Sequence, residues 1–255
     1  MARLRPVSHE DELSVVDHLD ELRTRVVISL LAVISASAVC FWQDNLVLDL
    51  LNDPLPDGRE PITLAPTEAF MTTITVSAYA GILIALPVVL YQLYAFVLPA
   101  FTPTERRVAT PLLVLVPILF ITGTVFAYFV ILQPALDFLL NFNADEFQTE
   151  VRARDYYSFV MLLLIAMGLM FQVPIGVLSI TRLGIVSVEQ LRKNRRYAIL
   201  GLVVIAALLP TVDPVTLVLE TIPLIVLYEL SILLAAWLGR PPPEVAEAMD
   251  EDEAP

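Results

Sequence analysis

The sequence predicts an all-α integral membrane protein of six transmembrane helices, in a curved bundle kinked by proline, with the fifth span short and the sixth a candidate for the same. Three observations carry that reading. Of the 255 residues, 57% are hydrophobic and 17% are charged, against about 45–50% and about 25% in soluble domains. The apolar residues fall in long uncharged blocks of the kind that cross a bilayer. The basic residues cluster between alternate blocks, as the positive-inside rule requires of a multi-span chain.

The elements follow in order. Residues 1–25 are polar, but Leu13, Val16, Leu19, Leu22 and Val26 recur every three or four residues. That period predicts an amphipathic cytoplasmic helix running straight into span one at about 26–42. The acidic run Glu10-Asp11-Glu12 argues against a secretory leader. A polar, proline-rich stretch from Gln43 to Glu68 leads to span two, about 70–98, which carries Pro87. The turn at 102–107 opens span three, about 108–132. A second polar stretch, Gln133 to Asp155, precedes span four at about 156–180, and a basic loop runs from Thr181 to Arg196. Span five, 197–209, has 13 residues, or about 20 Å against a hydrocarbon core of about 30 Å. Span six, 215–238, is longer but carries Glu220, Pro223 and Glu229. Residues 239–255 are acidic and proline-rich, a composition expected to be disordered in the cytoplasm.

With the N-terminus inside, the inner segments hold 12 of the 15 basic residues and the outer ones only Arg59, Arg152 and Arg154. Six spans then leave both termini in the cytoplasm. The net charge of −13 excludes a nucleic-acid partner, which requires a basic face. The single cysteine, Cys40, excludes an intrachain disulfide and a cysteine metal cluster. Both histidines, His9 and His18, precede span one, which removes paired haem ligands from the membrane. Neither a cofactor nor a metal is expected. Only one basic residue, Lys193, is lysine. A salt-rich cytoplasm, where dense carboxylates keep a surface hydrated, is the expected source of that bias and makes the chain a halophile's; a GC-rich genome favouring arginine codons is the alternative.

Polar residues within spans are costly, which makes each a functional candidate. Gln172 and Glu229 both lie about 21–22 Å from the outer ends of their spans. Facing helices would let them hydrogen-bond; the alternative for Glu229 is to snorkel to the inner surface. Glu220 stands nine residues before Glu229, hence on the opposite helix face, and its shallow position predicts contact with water over a thinned bilayer edge. Asp213 sits in the turn Pro210-Thr-Val-Asp213-Pro214. At the cytoplasmic surface, Glu105 closes Thr102-Pro-Thr-Glu105, a capping box with proline at the first helical position. Glu21 precedes Arg25 by four residues, the favourable order for a helix ion pair.

Several short stretches occur in sequence along the chain: His18-Leu-Asp-Glu21-Leu-Arg23-Thr-Arg25, Pro54-Leu55, Ala65-Pro-Thr-Glu-Ala-Phe70, Phe96-Val-Leu-Pro99 through Arg106, Tyr128-Phe129 through Pro134, Phe171-Gln172-Val-Pro174, Arg195-Arg-Tyr197, Asp213, and Pro223 through Glu229. Together they resemble the TatC family, the receptor core of the twin-arginine protein translocase, over about residues 15–240. The resemblance implies binding of twin-arginine signal peptides and export of folded cargo driven by the proton-motive force. It implies as partners small single-span TatA- and TatB-like subunits, the lipid bilayer, and further copies of the chain in the assembled complex. It assigns signal-peptide binding to Glu21 and Glu105, with Arg23 beside them. The family usually carries a glutamate where this chain has Gln172, an amide that donates and accepts but does not titrate. Glu229 matches a family glutamate; Glu220 has no counterpart.

Two other readings compete. A small proton- or cation-coupled secondary transporter would use Gln172, Asp213, Glu220 and Glu229 as a relay. Such transporters often show inverted repeats, and none is visible between residues 26–132 and 156–238. An intramembrane hydrolase fails for want of histidine and paired aspartates in the spans, so the chain is read as a receptor and not an enzyme.

Overall fold

The computed structural model describes residues 15–56, 59–97, 103–147, 149–182, 184–209 and 213–238, without the side chains of 15–17, 103–109, 111 and 112. The expected start of the amphipathic helix, the Glu105 carboxyl and the tail 239–255 lie outside the described residues. The described elements are helical: α1 (Val15–Trp42), α2 (Asp44–Asn52), α3 (Glu68–Val97), α4 (Pro103–Phe126), a π-helical turn (Ala127–Ile131), α5 (Leu132–Asn141), α6 (Ala153–Met170), α7 (Val173–Arg182), α8 (Val188–Lys193), α9 (Arg195–Ala207) and α10 (Pro214–Leu238). Among the described residues, five helical runs are long and apolar enough to cross a bilayer: His18–Trp42, Glu68–Val97, Leu113–Asn141, Ala153–Arg182 and Pro214–Trp237. The sixth is α9, whose 13 residues reach about 20 Å, so the bilayer must thin or its neighbours tilt around it.

Proline places the kinks. Pro87 and Pro223 stand inside α3 and α10. Pro174 has no N–H to return to the Met170 carbonyl, so span four breaks into α6 and α7 with a turn at Phe171 and Gln172. There the Phe171 N–H donates to the Met167 carbonyl and the Gln172 N–H to Leu169, each at 3.0 Å. The π-helical turn precedes Pro134 in the same way. Two stretches read as polar loops are partly helical. α5 continues to Asn141 because Leu132, Ala135, Leu136 and Leu140 bury one face. α2 forms because Leu51 enters the core with Val47 and Leu48 packed beside it.

The spans alternate in direction, giving a near end, where α1 begins, and a far end carrying α2 and the loop 142–152. The largest core cluster lies toward the far end and joins Leu51 to residues of α3, the π-helical turn, α5 and α6. A second joins Val177 and Leu202 to Leu224, Tyr228 and Ile232 on α10. The outward faces stay apolar, with Leu31, Ile34 and Phe129 exposed as lipid contacts, and Trp42 and Trp237 stand at opposite ends as interfacial anchors. α1 meets α3 backbone to backbone: a Cβ on Gly81 would lie 2.4 Å from Ser37 Cα.

Tyrosine hydroxyls tie down the far end. The last carbonyls of a helix lack intrahelical partners. Here Tyr128 donates to the Leu50 carbonyl at 2.7 Å and Tyr156 to Leu51 at 2.5 Å, while Tyr157 donates to Asn52 Oδ1 at 2.9 Å. The two far-end loops also pair: Ile62 N–H donates to the Val151 carbonyl at 2.8 Å, and Ala153 N–H to Ile62 at 2.9 Å.

Candidate functional site

At the near end, the first turns of α1 lean on the last turns of α3. The His18 ring stacks on Phe96 at 4.3 Å between centroids. Glu21 Oε1 accepts from Arg25 Nε at 3.0 Å and also from Nη2, and Arg25 Nη1 reaches across to Gln92 Oε1 at 3.0 Å. Glu21 Oε2 lies 3.9 Å from His18 Nδ1, too far for a hydrogen bond. One carboxylate oxygen is therefore fixed and the other is open, on a side chain 29% exposed. Arg23 is exposed and pairs with no described carboxylate. Pro103 begins α4, which places Glu105 in its first turn at this same end.

Gln172, Glu229 and Asp213 each bond a different partner. Gln172 Nε2 donates to the Val116 carbonyl of α4 at 3.2 Å, a bond made at the turn that Pro174 imposes. Glu229 pairs instead with Arg195 Nη2 at 2.8 Å. The Gln172–Glu229 hydrogen bond that facing helices would allow is not made; Arg195, at the start of α9, is the partner of Glu229. Asp213 Oδ1 accepts from the Thr216 N–H at 2.7 Å, the geometry of a helix cap, and the residue is 8% exposed. Glu220 corrects the expectation of a water-lapped edge: it is 0% exposed. It shares the buried α10 stripe with Thr216, Leu224 and Tyr228, spaced at four residues so that all face the core.

Sequence reasoning missed Gln92, an amide within span two with nothing local to link it to Arg25. It also missed an ion pair at the far end. Glu68, buried in the first turn of α3, accepts from Arg152 Nε at 2.7 Å and from the Leu64 N–H at 2.8 Å. The Glu68 carboxylate pushes the Arg152 guanidinium above its already high ordinary pKa. Its partners are 84 residues apart in sequence, a separation no local pattern reports.

A family model described as the Sec-independent protein translocase protein TatC matches residues 17–223. The chain belongs to the TatC family. Similar relatives include the chloroplastic TATC of Arabidopsis thaliana, 38% identical over 93% of this chain and 69% of its own length. The TatC of Aquifex aeolicus is 37% identical over 92% of this chain and all of its own length. The chain spans only about 65% of the Pisum sativum chloroplastic relative. A crystal structure of the twin arginine translocase receptor TatC in DDM superposes with a TM-score of 0.74 at 39% identity, covering 85% of this chain and 98% of that one. The site therefore sits in a TatC-type scaffold of membrane helices.

Proposed function

We propose that this chain is the twin-arginine signal-peptide receptor and core of a translocase that exports folded proteins across the cytoplasmic membrane, using the proton-motive force. Family membership makes it a protein-translocase component and not a small solute transporter. The observation that carries the recognition step is Glu21. Arg25 and Gln92 hold one carboxylate oxygen in place and leave Oε2 without a hydrogen bond at the near end of the bundle. An arginine fork is the natural partner for such an oxygen. Glu105, in the first turn of α4, supplies the second carboxylate for a pair of arginines, and Arg23 borders the site. The near end faces the cytoplasm, because 12 of the 15 basic residues then lie inside. Single-span TatA- and TatB-like subunits and further copies of the chain complete the assembly.

The test is peptide crosslinking and cargo export in Glu21→Gln, Glu105→Gln and the double variant, with protein level as control. Glutamine preserves a capping role at position 105 but removes the charge. Each charge-assisted bond is worth about 1.5–3 kcal/mol when shielded, so each single change should weaken binding roughly 10- to 150-fold. Near-wild-type crosslinking in the double variant would sink the assignment.

A further inference from the structure

At the far end, the first two turns of α3 and the first turn of α6 enclose a cleft of about 390 Å³ that signal-peptide recognition does not use. Its charged lining is Arg152, Arg154 and Glu68, two cations against one anion. Arg152 is engaged: its Nε donates to Glu68 Oε1 at 2.7 Å, and its Nη1 lies 3.8 Å from Asp155 Oδ2. Both Glu68 oxygens are held, the second by the Leu64 N–H. Arg154 is exposed and pairs with no described carboxylate. Thr75 donates its hydroxyl proton to the Met71 carbonyl at 2.8 Å. Thr72 differs: it is 6% exposed, and its hydroxyl has no hydrogen-bond partner among the described residues. Both Thr72 and Arg154 also line a smaller cleft adjoining the first, with Tyr79 and Ser158. Arg154 of α6 and Thr72 of α3 thus line one space, with the Thr72 hydroxyl buried in its wall.

We propose that this cleft binds the phosphate of an anionic phospholipid from the leaflet at that end of the bundle. A buried hydroxyl left without a partner is costly, and phosphate oxygens are acceptors for both the Thr72 proton and the Arg154 fork. With Glu68 and Asp155 both paired to Arg152, Arg154 is the cation left for the phosphate. The depth fits as well: Glu68 to Thr75 is about 10 Å along α3, the headgroup zone at the end of a span. Met71, Ile74 and Ala78 are exposed beside it, a stripe at three- to four-residue spacing that gives acyl chains an apolar track. That track is what favours a lipid over a free anion.

The test uses the purified full-length chain, with native mass spectrometry of phosphatidylglycerol binding. Wild type should retain one lipid that Arg154→Gln holds about 10-fold more weakly or worse. Thr72→Val keeps the volume and removes a hydroxyl that bonds nothing in the fold, so the melting temperature should hold while lipid affinity falls several-fold. Unchanged retention in both variants overturns the proposal. So does an equal loss in Arg59→Gln, which lies in a separate far-end cleft and would reveal a general charge effect. Binding of inorganic phosphate as tight as the lipid, or equal retention of diacylglycerol, overturns the assignment to a phospholipid headgroup.

Discussion

Gln172 shows how a neutral side chain serves at a position deep in a bundle. Its amide donates to the Val116 carbonyl at 3.2 Å and ties α4 to the break between α6 and α7. Gln172→Leu should lose that bond at about 0.5–1.5 kcal/mol, lowering the melting temperature by roughly 1–6 °C for a chain of this size. Gln172→Glu installs the glutamate that the resemblance implies at this position and should insert and export at close to the wild-type level; an export assay at matched protein level decides, and abolished export would show that the neighbours have adapted to an amide. At this scale the sequence was readable wherever partners are near in the chain. Glu21 and Arg25 announce each other by a four-residue spacing. Gln92 does not, because it reaches Arg25 across 67 residues. Glu220 was misjudged for a related reason: depth along a helix is countable, but which neighbours cover a face is decided by packing.

Helix pairing depends on small side chains in a few places. Gly81 allows α1 and α3 to touch, since an added Cβ would meet Ser37 backbone at 2.4 Å. Gly81→Ala should therefore overpack the contact at about 1–3 kcal/mol and lower the melting temperature in detergent by roughly 2–12 °C. Gly201→Ala is the control: nothing lies within 4 Å of its added Cβ, and alanine is the better helix former by about 0.5–1 kcal/mol, so the melting temperature should hold or rise. Equal behaviour of the two variants would remove Gly81 as a packing determinant. The spans themselves were legible from hydropathy, and the break at Pro174 from the missing N–H. The continuation of helix through Pro134 was not. A π-helical turn absorbs that proline, and the gain is burial of Leu136 and Leu140 in a core built from distant parts of the chain.

For the whole molecule, the count of crossings rests on the weakest span. Among the described residues, five helical runs are long enough to cross by length and composition, and five crossings would leave the two ends of the bundle domain on opposite sides. α9 decides the matter. It starts beside Glu229 through Arg195, and Leu209, just past its end, packs against the far-end core. Asp213 then caps α10, which runs back. A helix of about 20 Å manages this because the helices around it do not leave it alone in lipid: Leu202 and Ala206 are buried against α7 and α10. We therefore expect α9 to cross, and the basic loop 181–196 to share a side with the N-terminus. A reporter fused after Arg240 should read cytoplasmic, and one inserted after Ala144 extracytoplasmic. If the first reads extracytoplasmic, α9 does not cross and the six-span topology fails. If both read cytoplasmic, the alternation of the earlier spans fails as well. The same pair of fusions also bears on recognition, since Glu21 and Glu105 meet a cytoplasmic signal peptide only if the near end is inside.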